Sequence, residues 1–187
     1  MPVGHVWRTS STVLAERCVM PTAFLIYGHI GAGKTTVARQ LEEQYGAVRF
    51  TSDEWVATLY GSKEGSVRDF AEALRRVEAV MEPLWKRWLQ AGNDVVLDLG
   101  FWSRTKRDQV REAAAEAGGT VELVSVVCHR DVSWQRVEHR NAQLDGSSVH
   151  VSRDTFDALH AEVEDLSPDE PHREVRTDEP GVDDATD

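Results

Sequence analysis

Ala23 to Tyr27, reading AFLIY, is a continuous apolar run that stops at Gly28. A run without alternation suits a parallel strand covered on both faces better than a surface strand, where every second position would be polar. From Lys34 the spacing changes, and Val37, Leu41 and Tyr45 recur at helical intervals before Gly46 stops the pattern. The opening unit is therefore strand, glycine-rich loop, helix. Ala47 to Phe50 predicts a short second strand, followed by the polar turn Thr51-Ser52-Asp53 and a helix from Glu54 to Tyr60. Gly61 to Gly65 reads as a mobile loop.

Ser66 to Gln90 predicts a long helix with an apolar face of Val67, Phe70, Leu74, Val77, Met81, Leu84 and Leu89, and Pro83 is expected to kink or split it. Val95 to Leu97 predicts a third strand that presents Asp98 at its carboxyl end. The loop Leu99 to Trp102 follows, and Ser103 is placed to cap a helix reaching Gly118. Val121 to Cys128 reads as the fourth strand, and Asp131 as the cap of the helix DVSWQRVEHRN. Residues 142 to 151 form a polar, flap-like connection. Ser152 then caps a helix to about Glu164, and Glu174 to Thr177 predicts a fifth, edge strand. This alternation predicts an α/β fold: a central, mostly parallel five-stranded sheet flanked by helices, with a small helical lid at about 136–152. Ligands of such sheets gather at the carboxyl ends of the strands.

Composition narrows the picture further. With 187 residues, 41% of them apolar, the chain can close one substantial core. One domain is expected over residues 20–180, between a flexible extension at 1–19 and a disordered acidic tail at 181–187. A formal charge of −11 opposes long nucleic acids as partners, because affinity for them rests on clustered Lys and Arg. Cys18 and Cys128 are too few and too far apart for a disulfide framework or a zinc site, so a cytoplasmic location is expected. No run approaches the eighteen or so apolar residues of a membrane span, and no membrane association is expected. The protein is expected to act as a monomer or a homodimer.

Gly28-His29-Ile30-Gly31-Ala32-Gly33-Lys34-Thr35 satisfies G-x-x-x-x-G-K-[ST] between a strand and a helix, the context this motif requires. Glycines let backbone amides close around phosphate oxygens, and the helix that starts there adds the positive end of its dipole. Residues Gly28 to Thr36 are thus candidates for holding ATP. Lys34 is placed to reach the outer phosphates, and Thr35 to ligate Mg²⁺. His29 reads either as a base or as a spectator that offers only its amide.

A phosphate loop also serves GTPases, motors and transporters, so the discriminating residues stand opposite the terminal phosphate. Asp53, after the second strand, is placed across the cleft, where a carboxylate can take the proton of an attacking hydroxyl. It can equally cap the helix that follows. Asp98 can hold a water of the Mg²⁺ shell or orient a substrate, the bland reading being an ordinary strand-end acid. Trp55, Phe101 and Trp102 are candidates for the acceptor pocket, and aromatic residues there are equally explained as core. Arg136 and Arg140, four apart on one helix face, can close over a triphosphate, or can lie on a solvated face beside Glu138.

Taken in order, GHIGAGKTT, TSDEW, VVLDLGFWSRTKRD and SWQRVEHRN resemble the AAA_33-like branch of the P-loop kinase superfamily, which holds the kinase domain of polynucleotide kinases, chloramphenicol phosphotransferase and zeta toxins. The likeness spans about Pro21 to Pro180. It implies a P-loop NTPase fold, with Asp53 as general base, Asp98 as a substrate or metal-shell group, Arg136 and Arg140 as a lid pair, and residues near Thr177 to Gly181 beside the adenine. Polynucleotide kinases carry an arginine just after the acidic turn, where this chain has Trp55, Val56 and Ala57. The expected activity is therefore transfer of the γ-phosphoryl group of ATP to a small-molecule hydroxyl. The alternatives are a nucleoside or polynucleotide 5′-hydroxyl kinase and a regulatory ATP-binding protein without catalysis.

Overall fold

The computed structural model describes residues 20–60, 67–143 and 151–178, with 67–69 in backbone only. Expectations for 1–19, the loop Gly61 to Gly65, most of the 142–151 connection and the 181–187 tail lie outside the described residues. The described residues form five strands and six helices, in the order β1 (Thr22–Tyr27), α1 (Lys34–Tyr45), β2 (Val48–Thr51), α2 (Ser52–Tyr60), α3 (Val67–Gln90), β3 (Val95–Asp98), α4 (Arg104–Glu116), β4 (Thr120–Val127), α5 (Arg130–Ala142), α6 (Arg153–Ala161) and β5 (Arg173–Arg176).

The sheet order is β2-β3-β1-β4-β5, and every pairing is parallel. β1 lies in the middle because its residues are needed on both faces. Ala23, Leu25 and Tyr27 enter the larger core with α2, α3 and α4, while Phe24 and Ile26 enter a second core with Val37, Ala38 and Leu41 of α1. That two-sided burial is the physical reason for an unbroken apolar run. The chain goes from β1 toward β2 and β3 on one side and later reaches β4 on the other. The carboxyl end of β1 is therefore the topological switch point, where such sheets open a crevice.

Several helices depart from the sequence reading. α3 continues through Pro83 as one helix. Its buried row is Ala73, Val77, Met81, Trp85 and Leu89, strictly four apart, whereas Phe70 and Leu84 are 42% and 44% exposed. The expected face mixed spacings of three, four and five, and a single i±4 ridge is what fits the sheet. Because that ridge holds both halves of the helix and Pro83 is exposed, the lost hydrogen bond is left to solvent. α2 begins at Ser52, so Asp53 sits in its first turn and does not cap it. α5 begins at Arg130 and is capped by His129, whose ring accepts from the Asp131 amide at 3.4 Å. Asp131 lies inside the first turn, where its charge complements the helix dipole.

Residues 162–172 are fastened to the sheet by a charged network that local periodicity does not reveal. Arg107 of α4 and Glu170 are both buried, paired at 2.8 and 2.9 Å, and the Arg107 guanidinium lies 5.2 Å from the Tyr27 ring centroid. Arg111 donates to the same carboxylate at 2.9 Å. These hydrogen bonds hold the Glu170 carboxyl down at about 2.

Candidate functional site

The loop between β1 and α1 is shaped by its glycines. At Gly28, φ is 150° and an added Cβ would stand 2.5 Å from the Val126 carbonyl oxygen. At Gly31, φ is 77° and a Cβ would run into the Ser133 carbonyl of α5. The loop is therefore wedged between β4 and α5, and only glycine permits that approach. α1 starts with no side-chain cap, and Gly33 stands at its N-cap in the left-handed region. The Thr36 amide donates to the Gly33 carbonyl at 3.1 Å, which leaves the amides of Lys34 and Thr35 to point at an anion.

Four predicted residues converge at the mouth of this loop. Lys34 is half-buried, and its ammonium donates to the His29 carbonyl at 2.9 Å. Burial pushes its pKa below the ordinary lysine value, against the opposing pull of Asp98 and Asp53. Thr35 donates its hydroxyl to Asp98 Oδ2 at 3.0 Å, across the gap between α1 and β3. Asp98 is buried at the strand end, and desolvation raises its pKa while Lys34 and the Thr35 hydrogen bond lower it. Asp53 sits at the exposed rim; partial desolvation raises its pKa, and Lys34 and Arg140 oppose the rise. α2 is held in place by Arg49, which bonds Glu54 at 3.0 Å, Glu42 at 3.0 Å and the Thr51 hydroxyl.

Arg136 and Arg140, one turn apart, have different surroundings. The Arg136 guanidinium is engaged with Thr177, at 3.0 Å to its hydroxyl and 2.5 Å to its carbonyl, and with Cys128 Sγ at 3.4 Å. The Thr177 hydroxyl in turn donates to the Ala32 carbonyl at 2.7 Å, so the segment after β5 rests on the phosphate loop. Arg140 is exposed and lies in the field shared by Lys34 and Asp53. Of the predicted pocket aromatics, Phe101 is fully buried in the main core and Trp55 packs half-buried against it. Trp102 alone is 36% exposed. The reason is register: Phe101 follows the buried pair Leu97 and Leu99 inward, and the next residue turns out. A cavity of about 410 Å³ between α3 and α4, lined in part by Glu78, Glu82, Lys86 and Lys106, contains none of the predicted site residues.

His29 and Ile30 have surroundings that the motif alone does not suggest. Ile30 packs against a third small core of Val137, Val151 and Phe156, with Trp134 beside it. The His29 ring stacks on His160 of α6, centroids 3.7 Å apart and planes within 6°. Of the expected lid over 136–152 the described residues include the end of α5, and α6, which follows it, meets the loop through His160.

The donor set fits Mg²⁺ with a triphosphate. It offers one hydroxyl, one carboxylate and a ring of amides, all hard or anion-seeking groups. Among the described residues no group of three or more His, Cys, Asp or Glu forms a metal cage. Magnesium shared with substrate phosphates does not need one.

The AAA_33 profile, an AAA domain, matches residues 24–166. The chain belongs to the AAA_33 family. Its fold is that of the P-loop kinases. A candidate kinase from Chloroflexus aurantiacus superposes with a TM-score of 0.69 at 18% identity, over 85% of this chain and 86% of that one. Kti12 from Chaetomium thermophilum, solved with ADP-AlF3, gives 0.61 at 20% identity over 83% and 89%. The APS kinase CysC of Mycobacterium tuberculosis, solved with AMPPNP and APS, gives 0.55 at 22% identity over 86% and 90%. At these identities the likeness carries the fold. No curated protein matches the sequence. Among the described residues no helix is long and apolar enough to cross a membrane.

Proposed function

We propose that this AAA_33 protein transfers the γ-phosphoryl group of ATP to a hydroxyl of a small molecule. The observation that carries the reading is the contact of the Thr35 hydroxyl with Asp98 beside the half-buried Lys34, with Asp53 and Arg140 sharing the same field. A passive nucleotide binder needs the loop but has no use for a carboxylate facing it across the cleft.

The loop amides of Gly28 to Thr36 hold the phosphates, and Lys34 draws the outermost of them toward the end of β1. Thr35 and Asp98 would hold Mg²⁺, which would supply positive charge to the phosphates. Asp53 orients the acceptor hydroxyl and takes its proton. Its raised pKa strengthens it as a base, and the nearby cations of Lys34 and Arg140 keep it ionised. Arg140 stabilises charge on the group in transit, while Arg136 fixes Thr177 against the loop. Trp102, on the exposed side of the β3 loop, is the aromatic residue available to an acceptor. The acidic surface favours a small acceptor over a polynucleotide.

Titration of Mg·ATP into the folded protein by calorimetry is the direct test, followed by ADP release in the presence of a library of alcohols. Heat of binding in the wild type, and its loss in Lys34→Ala with the circular dichroism spectrum unchanged, is the expected outcome. A folded wild type that binds no purine triphosphate ends this reading.

A further inference from the structure

The second residue of the phosphate loop is fastened from outside the nucleotide-binding elements. The His29 ring lies nearly parallel to His160, in the last turn of α6, at 3.7 Å between centroids. His160 is itself backed by Phe156 at 6.0 Å, and Phe156 is fully buried with its ring at an angle to Trp134 of α5 at 5.3 Å. Arg130 and Arg153 both pair with Asp157, tying α6 to the start of α5. The segment after α6 is tied down as well, because Tyr27 donates its hydroxyl to the Glu164 carbonyl at 3.1 Å and Glu164 donates its amide to Trp102 at 2.8 Å. His160 is thus a rigid platform, and the ring resting on it belongs to the residue whose carbonyl receives the Lys34 ammonium at 2.9 Å.

No hydrogen bond explains this arrangement: the His29 Nδ1 is buried without a partner. Leaving a ring nitrogen unpaired has a cost, so the ring is kept there by its stacking surface. Desolvation and the neighbouring His160, Lys34 and Arg130, opposed by Asp165, keep the His29 ring neutral at physiological pH, and His160 is shifted the same way by desolvation and Arg130. Two neutral rings stack without repulsion.

We propose that His160 is a positioning residue for the phosphate loop: by stacking on His29 it fixes the turn whose carbonyl receives Lys34, and so sets the aim of that ammonium and of the adjoining amides toward the phosphates. This rests on the reading of the loop as a Mg·ATP site. The effect of His160 passes through the His29 ring on which it stacks. What it requires is a flat ring, not a titratable one.

The test compares wild type, His160→Ala and His160→Phe, measuring the Kd for Mg·ATP by calorimetry and thermal unfolding in parallel. His160→Ala is expected to weaken Mg·ATP by about 5- to 20-fold while the folded fraction stays complete at the assay temperature. His160→Phe, which keeps the flat ring, is expected to return the Kd to within about twofold of wild type. Equal Kd values for wild type and His160→Ala overturn the proposal, as does a folded His160→Phe that binds as poorly as the alanine variant. A lowered unfolding temperature with an unchanged Kd assigns His160 to stability alone and also overturns it. A wild type that binds no Mg·ATP removes the nucleotide site itself, a result separate from any difference among the variants.

Discussion

Thr35 and Asp98 stand 63 positions apart in the chain and 3.0 Å apart in space. A hydroxyl and a carboxylate at that distance, beside a half-buried lysine, form a site whose charges compensate one another while each group is costly to bury alone. Asp53 differs from Asp98 in being at the rim, where a substrate can reach it. The two acids therefore have different expected consequences. Asp53→Asn should lower kcat by about 10² to 10⁴ with the Kd for Mg·ATP nearly unchanged, the pattern of a lost general base. Steady-state kinetics beside calorimetry decide it: weaker ATP binding with a normal kcat would make Asp53 a binding group.

The helices divide the work at the next scale. α1 supplies the amides and Lys34, α2 presents Asp53 from its first turn, and β3 delivers Asp98. α5 and α6 close one side around Val137, Val151, Phe156 and Ile30. Because Ile30 belongs to the phosphate loop, this small core joins the loop to both helices. Phe156→Ala should cost about 3–5 kcal/mol of stability, the usual range for emptying a buried phenylalanine site, measured by urea denaturation. A loss well under that range would mean that α6 is only loosely attached. The engagement of Arg136 with Thr177 belongs to this scale as well, because it brings the segment after β5 onto the Ala32 carbonyl.

Across the whole molecule, the buried Arg107–Glu170 pair anchors residues 162–172 beneath the sheet. Removing one partner leaves a buried charge uncompensated, so Glu170→Gln should destabilise by about 3–5 kcal/mol. The apolar double replacement Arg107→Met with Glu170→Leu should cost much less. Denaturant titration of both variants distinguishes a pair needed as a pair from one that merely fills space. The His29 and Glu170 shifts act with the same sign as acid is added, while the raised Asp53 and Asp98 values oppose them. The His29 pKa is about 4 in the fold against 6.5 when free, so the unfolded chain binds the proton first, and stability falls as the pH drops from 6.5 toward 4. Glu170, at about 2 against 4.5, contributes stability that is present above 4.5 and lost as the pH falls toward 2. A His29→Phe variant whose unfolding free energy follows the wild-type pH dependence between 6.5 and 4 would contradict the His29 step.

What the sequence determines by itself is whatever depends on neighbours along the chain. The apolar run of β1, the glycines that must turn tightly, the lysine and threonine opening α1, and the alternation of strand and helix are all local, and from them follow the parallel α/β sheet and the P-loop kinase branch. Asp98 at a strand end and Asp53 in a polar turn are legible in the same way. Tertiary structure alone decides which side chains meet across elements: that Arg136 turns to Thr177 while Arg140 stays exposed, that Phe101 enters the core while Trp102 remains at the surface, that Trp85 replaces Leu84 on the buried ridge, and that His160 lies on His29. Periodicity gives a face but not the rotation of that face against its partner. That rotation is settled by the sum of many small packing energies over residues far apart in sequence, none of which leaves a mark on its own neighbours.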